Sequence, residues 1–295
     1  RGMPDSAAAS RPYDDSLPID LHVHSTVSDG TEPPAEVMRQ AARAGLGTVA
    51  LTDHDSLDGW DEAAAEARAL GIALLGGVEF STQIGPGSVH MLGYLVDPAH
   101  AELLDTMREI RESRFSRAER MVERISADYP LHWDDVLAEA EEGATIGRPH
   151  IADALARKGI VADRTAAFET ILHWRGGYYQ PHFAPHPTEA IRLIRDAGGV
   201  AVIAHPGSRG QRGMQGSALG ELVEAGLRGV EIGHRENDEL SRSLLRGYAR
   251  KFDLIVTGSS DYHGDGKPNR LGEHTTEPEQ LDRILALGTG SGLLA

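Results

Sequence analysis

The chain has 295 residues, with 45 Asp and Glu against 29 Lys and Arg, 14 His and no Cys, giving a formal charge of −16. The missing cysteine excludes disulfides, thiolate metal sites and a cysteine nucleophile, and the acid excess argues against a protein that coats DNA or RNA, where Lys and Arg must neutralise phosphates. No apolar run approaches the roughly 18 residues of a membrane span, so a cytoplasmic protein with one large core, or one core carrying an insertion, is expected.

Residues 1–16 (RGMPDSAAASRPYDDS) have no hydrophobic period and are predicted to be a disordered leader. From residue 17 short apolar runs alternate with helix-like stretches. Strands are predicted over 17–24, 48–53, 73–80, 90–96, 199–205, 229–233 and 254–259. Helices are predicted over 33–44, 59–70, 187–197, 217–225 and 238–251, several opened by Pro or stopped by Gly. Strand then helix, repeated, with continuous apolar strands, predicts a parallel α/β fold. Seven strands favour a barrel over an open sheet.

The alternation stops between 99 and 180, which holds no strand-like run and is predicted to be a helical insertion capping the substrate. The barrel is thus split into 17–98 and 181–295, the second part ending in a C-terminal helix. In the first inserted helix Leu103, Met107, Ile110 and Met121 follow one helical face, and Arg114 and Arg117 fall in the same phase. Two readings fit. The arginines lie on a solvated, salt-bridged face with buried stems, or they point over the barrel mouth and grip a substrate phosphate bidentately.

His22 and His24 are two apart in a strand, so both rings leave the same face. Asp29 follows in a turn. The next strands end in Asp53-His54-Asp55 and Gly77-Val78-Glu79, the fourth begins at His90, the fifth ends in His205, and the last in Asp261-Tyr262-His263. In a parallel barrel the C-terminal strand ends converge on one mouth, where barrel enzymes keep their sites. Six imidazoles and three carboxylates buried together without cations would be electrostatically hard to sustain, and this donor set suits Zn, Mn or Fe. His22, His24, Asp29, His54, Glu79, His90, His205, Asp261 and His263 are therefore the candidate metal ligands. His100, His132, His173, His182, His186 and His274 are read as structural or surface residues, while His150 and His234 stay open.

These motifs, Asp20-Leu21-His22-Val23-His24-Ser25, Ser28-Asp29-Gly30, Thr52-Asp53-His54-Asp55, Gly77-Val78-Glu79, Val89-His90, Ala204-His205-Pro206 and Ser260-Asp261-Tyr262-His263, resemble the PHP (polymerase and histidinol phosphatase) superfamily of metal-dependent phosphoesterases. The segments Gly147-Arg148-Pro149-His150-Ile151-Ala152 and Gly198-Gly199-Val200-Ala201 are similar to the subgroup that cleaves nucleoside 3′,5′-bisphosphates, some members of which also trim short 5′-phosphorylated RNA. The resemblance implies a distorted (β/α)7 barrel with an inserted helical domain and two or three divalent ions. One ion would take His22, His24, Glu79 and Asp261, a second Glu79, His90 and His205, and a third Asp29, His54 and His263. Such ions would outweigh the carboxylates and offer a phosphate a positive pocket. The implied chemistry is in-line hydrolysis by metal-activated hydroxide.

Among the remaining residues Asp53 is expected to orient a ligand, and His205 and His234 are candidate proton donors. Arg148 and His150, with Arg114 and Arg117, are candidates for binding the second phosphate. Asp20, Asp55 and Glu231 are expected to stabilise loops and strand ends. The expected substrate is a small phosphorylated nucleotide, with short RNA or a histidinol-phosphate-like monoester as alternatives. A catalytically silent interaction module is the reading from another class, which the full set of nine ligand positions opposes.

Overall fold

A computed structural model describes residues 10–208 and 216–295. Seven strands, β1 (Ile19–Val23), β2 (Thr48–Leu51), β3 (Ala73–Ile84), β4 (Gly87–Tyr94), β5 (Val200–Ile203), β6 (Gly229–Gly233) and β7 (Ile255–Gly258), form one sheet in sequence order. The sheet curls until its ends nearly meet, with a bridge between Val23 and Tyr262 and the His24 N–H donating to the Tyr262 carbonyl at 2.8 Å. This is a nearly closed, distorted (β/α)7 barrel.

Its strands are not all parallel, as the continuous apolar runs had implied. β4 runs antiparallel to both β3 and β5. β3 continues past Phe80 to Ile84 and returns at once through Gly85, whose φ of +55° suits glycine. No crossover helix separates the two strands, so they can pair only as a hairpin.

Helices α1 (Pro34–Arg43), α2 (Trp60–Leu70), α7 (Pro187–Asp196), α8 (Ser217–Ala225), α9 (Glu239–Phe252) and α10 (Pro278–Leu287) surround the sheet. Proline opens α1, α7 and α10 in the first turn, where its missing N–H costs nothing. Alternate strand residues serve two cores. Val49, Leu74, Val78, Met91 and Ile203 pack against the helices. Leu21, Ala50, Leu75, Leu92, Val202 and Ile255 fill the barrel with help from α10. Glu79 shares the inward face with Leu75, and His90 with Leu92, so the same strands are apolar at one end of the barrel and titratable at the other.

Between β4 and α7 lie α3 (Ala101–Ser126), α4 (Trp133–Leu137), α5 (Arg148–Arg157) and α6 (Arg164–Glu169). The C-terminal half of α3 (Ala118, Met121, Val122, Ile125) joins Leu131, Val136, Ile151 and Leu155 in a third core. Its N-terminal half (Leu103, Met107, Ile110) belongs to the barrel core. The first helix of the predicted insertion therefore packs on the barrel with one half and on the third core with the other.

The predicted leader is also shorter than 16 residues. Residues 1–9 lie outside the described residues. Tyr13, however, is buried, with Oη 2.7 Å from Asp282 Oδ1 and 2.9 Å from the Pro278 carbonyl, and Arg11 Nε donates to Asp282 Oδ2 at 2.9 Å. A partner some 270 positions away leaves no local trace in the sequence. Among the described residues no helix is long and apolar enough to cross a membrane.

Candidate metal centre

The end of β1 delivers His22 and His24 to one side of the strand, their Nε2 atoms 3.1 Å apart. Both nitrogens face Glu79 Oε2 on β3, at 3.0 and 2.9 Å, and Asp261 Oδ1 beyond β7, at 3.3 and 3.2 Å. The β1–α1 loop brings Asp29, whose Oδ1 lies 3.1 Å from His263 Nε2 and whose Oδ2 lies 3.6 Å from His54 Nε2. Because β4 runs backwards, its beginning lies at the mouth, and His90 Nδ1 reaches Glu79 Oε1 at 2.7 Å. His205 Nε2, from the end of β5, approaches the same oxygen at 3.2 Å. The backbone is strained where these strands end. Asp55, His205 and Asp261 have φ of +51°, +25° and +56°, a region side chains occupy only when their surroundings hold them there.

Four groups of ligand atoms lie within 4.8 Å of one another: His22, His24, Glu79 and Asp261; His24, Asp29, His54 and His263; His54, Glu79 and His90; and His205, His234, Glu236 and Asp261. The first coincides with one implied ion site. The third implied site acquires His24 as a neighbour. The second divides, with His90 grouped beside His54, and His205 beside His234, although both rings share Glu79 Oε1.

The charges are strongly coupled. Burial alone would raise the Glu79, Asp29 and Asp261 carboxyls, but the surrounding imidazoles and ammonium, His22 for Glu79, His263 for Asp29 and Lys267 for Asp261, hold all three well below the ordinary range. Burial alone would lower His24 and His205, yet neighbouring carboxylates, Asp261 and Glu79 for the first and Glu79 for the second, push each up to about 9. Burial, with Lys267 nearby, lowers His263 to about 4. Such a set demands positive charge, which protons or divalent ions can supply. Two buried atoms bear on that choice. Asp261 Oδ1 and His263 Nε2 have no hydrogen-bond partner among the described residues. Orphaned ligand atoms in a nitrogen and oxygen donor set fit divalent metals.

Around this set lies a scaffold. Glu231, fully buried, accepts from His22 Nδ1 at 2.8 Å, from the His205 backbone N–H at 2.8 Å and from Ser259 Oγ at 2.9 Å. It orients one ring and fixes the backbone that carries another, more than the strand-end role expected of it. Asp53 touches no imidazole. It accepts from the Ser25 N–H and Oγ and from Ser28 Oγ at 2.7–2.8 Å, so it shapes the loop carrying Asp29 and does not orient His54 directly. Asp20 accepts from the N–H groups of Ser260 and Gly272, and Asp55 from Ser81.

Above the cluster opens a cavity of about 940 Å³. Asp29, His54 and His90 line its floor, and Arg114, Arg117, Arg148, Arg164 and Lys267 stand around it. Arg114 donates from Nη1 to Ser81 Oγ at 2.9 Å and lies 3.4 Å from Asp55 Oδ2. Arg117 is buried, and its Nε has no partner among the described residues. Arg148 lies over the rings of Phe168 and Tyr179, at 5.3 and 5.8 Å. The two arginines of α3 thus face the cavity and not a solvated surface.

His150 and His234 are both engaged by other partners. His150 is buried at the start of α5, its Nδ1 accepting from the Gly147 N–H at 2.9 Å and its Nε2 2.9 Å from the Ser28 carbonyl. Nδ1 caps α5 and Nε2 ties it to the Asp29 loop, so the ring has no nitrogen left for a phosphate. His234 is fully buried, accepting from the Glu236 N–H on Nδ1 and lying 3.3 Å from Asp261 Oδ2 on Nε2. It is not among the residues that line the cavity. His173 and His182, read as structural or surface residues, do line it. Burial with Arg117 and Arg114 nearby drops His182 to about 3, so it is neutral. Lys267 and Arg164 were missed altogether. Arg164 grips Asp153 and donates from Nη1 to the Asp29 carbonyl at 3.1 Å. Neither sits at a strand end or in a periodic pattern, so only the assembled fold reveals them.

A family model described as PHP domain matches residues 20–144. The chain is 35% identical over 263 residues to a 3′,5′-nucleoside bisphosphate phosphatase of Chromobacterium violaceum, covering 88% of this chain and 92% of that protein. It is 34% identical over 250 residues to a 5′-3′ exoribonuclease of Haemophilus influenzae, covering 83% and 89%. Among solved structures, a metal-dependent phosphoesterase assignment from Bifidobacterium adolescentis superposes with a TM-score of 0.90 at 42% identity, over 92% of this chain and 96% of that one.

Proposed function

Because the chain belongs to the PHP family of metal-dependent phosphoesterases, we propose that it removes the 3′-phosphate of nucleoside 3′,5′-bisphosphates. The observation that carries this reading is the cavity's two cationic regions. One is the ligand cluster at its floor, and the other is the trio Arg114, Arg117 and Arg148, which among the described residues has only Asp55, at 3.4 Å, as a carboxylate partner. A substrate with two phosphates uses both.

His22, His24, Glu79 and Asp261 would hold one divalent ion, Asp29, His54 and His263 another, and His90 and His205, through Glu79 Oε1, a third, with Mn, Fe or Zn suited to these donors. Bound metal supplies Lewis acidity toward the phosphoryl oxygens and lowers the pKa of water toward neutrality. The chain's own residues do the rest. Glu231 fixes the His22 tautomer by accepting a hydrogen bond from its Nδ1–H, leaving Nε2 to face the centre. Arg117 and Arg148 bind the phosphate that is not cleaved. Arg114, braced by Ser81 and Asp55, closes the wall between the two regions. Helices α3 and α5 cover the cavity and limit its water, which strengthens each of these contacts.

A second reading, removal of nucleotides from the 5′ end of short RNA, is favoured by the aromatic edge of the mouth. Trp174 is 66% exposed, stacks with Arg175 at 4.5 Å, and adjoins His173 on the cavity wall. Exposed rings of this kind stack single-stranded bases without sequence preference. A panel under Mn of adenosine 3′,5′-bisphosphate, the 2′,5′-isomer, histidinol phosphate and a short 5′-phosphorylated RNA separates the readings. Fastest release from the 3′,5′-bisphosphate is expected. Faster turnover of the RNA, or of histidinol phosphate, would overturn the first reading.

A further inference from the structure

Asp261 serves two sides of the centre. Its Oδ1 faces His22 and His24 at 3.3 and 3.2 Å and has no hydrogen-bond partner among the described residues. Its Oδ2 faces the fourth ligand group, where His234 Nε2 lies 3.3 Å away and Lys267 Nζ donates at 2.9 Å. Lys267 also stands on the cavity wall. We propose that the Lys267 ammonium is the resident cation of the His205–His234–Glu236–Asp261 group, keeping a divalent ion from that group and leaving His205 to the Glu79 side of the centre. The proposal rests on the reading of the cluster as a metal centre and adds which of its four ligand groups stays free of metal.

Three observations support it. An ammonium 2.9 Å from Oδ2 occupies the lone-pair region that a divalent ion would use, and like charges that close repel. His205 has an alternative partner, Glu79 Oε1 at 3.2 Å, and so is not stranded when the fourth group stays free of metal. Glu236 is exposed at the rim, whereas Asp261, His205 and His234 are buried. Without Lys267 the group therefore has a solvent path, two imidazoles and two carboxylates, which is a sufficient donor set for a Zn or Mn ion. Because Lys267 also lines the cavity, its tethered charge would stand beside a phosphate bound there.

The full-length chain is stripped of metal, titrated with Mn(II) alone, and followed by calorimetry and by metal analysis after desalting. Lys267→Met is expected to take up about one more Mn(II) per chain than the natural sequence, and Lys267→Arg to keep the natural stoichiometry because it restores a fixed charge. Far-UV circular dichroism on each variant establishes that it is folded. Equal stoichiometry and affinity in the natural chain and in folded Lys267→Met would overturn the proposal while leaving the metal centre standing. Should Lys267→Met not fold, Lys267→Gln is measured with the same expectation and the same overturning result. A natural chain that binds no Mn(II) would overturn the reading of the cluster itself.

Discussion

Glu231 accepts the Nδ1 proton of His22 at 2.8 Å, with both side chains fully buried. Carboxylate–imidazole pairs of this kind fix which ring nitrogen faces a metal and make it a stronger donor. The surrounding histidines, His22 first, oppose the cost of burying Glu231 and hold its carboxyl down at about 2, so it is ionised and can only accept. Glu231→Gln keeps the shape and removes the charge. Metal affinity measured by calorimetry is expected to fall by about 10- to 100-fold. An unchanged affinity would show that the pair only packs the barrel.

His22→Ala removes a ring that touches Glu79, Asp261 and Glu231 together. Phosphate release is expected to fall by at least about 100-fold, with the circular dichroism spectrum of a folded chain retained. Full activity in this variant would dismiss the centre as the seat of chemistry.

Arg117 distinguishes substrates. Truncation to Ala removes from the wall a buried guanidinium whose Nε has no partner among the described residues, and a charge-assisted contact of this kind contributes about 1.5–3 kcal/mol. KM for a 3′,5′-bisphosphate should rise roughly tenfold or more, while KM for a nucleoside 3′-monophosphate changes little. Parallel increases for both substrates would place Arg117 elsewhere than at the second phosphate.

Gly147 gives Arg114 its room, since a Cβ there would lie 2.7 Å from Arg114 Nη2. The contact falls on the end of a flexible side chain, so Gly147→Ala should leave the melting temperature nearly unchanged. The displaced guanidinium should raise KM severalfold. A large loss of stability with unchanged KM would contradict this.

Tyr13 ties the chain before β1 to α10 through Asp282. Tyr13→Phe keeps the packing and deletes the hydroxyl, for an expected loss of about 1 kcal/mol in thermal or urea unfolding. The kcat of the folded enzyme should not move, because the contact lies outside the catalytic cavity. A change in kcat without a change in stability would refute the assignment.

What the sequence revealed followed from short-range geometry. A period of two puts His22 and His24 on one face, and apolar runs ending in Asp, Glu or His mark the barrel mouth, so the nine candidate ligands could be named before any coordinates. What stayed hidden depended on direction and distance. An apolar run reads the same whichever way its strand runs, so the reversal of β4 was invisible, although His90 was named. His150 had the right chemistry, but its two nitrogens are taken by Gly147 and Ser28, the latter 122 residues away. Lys267 lies in a Gly- and Pro-containing stretch without periodicity, and only the return of β7 to β1 makes it a neighbour of the cavity. Asp53 is expected from its place beside His54 to orient a ligand, yet the groups it holds are Ser25 and Ser28.

The hairpin that reverses β4 also divides the contacts of the centre by the chain entropy each costs to close. Glu79 and His90 are 11 residues apart in the chain, whereas His22 and Glu231 are separated by 209. Closing the longer loop costs roughly 2–3 kcal/mol more chain entropy than closing the shorter one. The hairpin therefore brings a Glu–His pair together at little cost in chain entropy, and the seam between β1 and β7 is where ligand binding has most entropy to overcome.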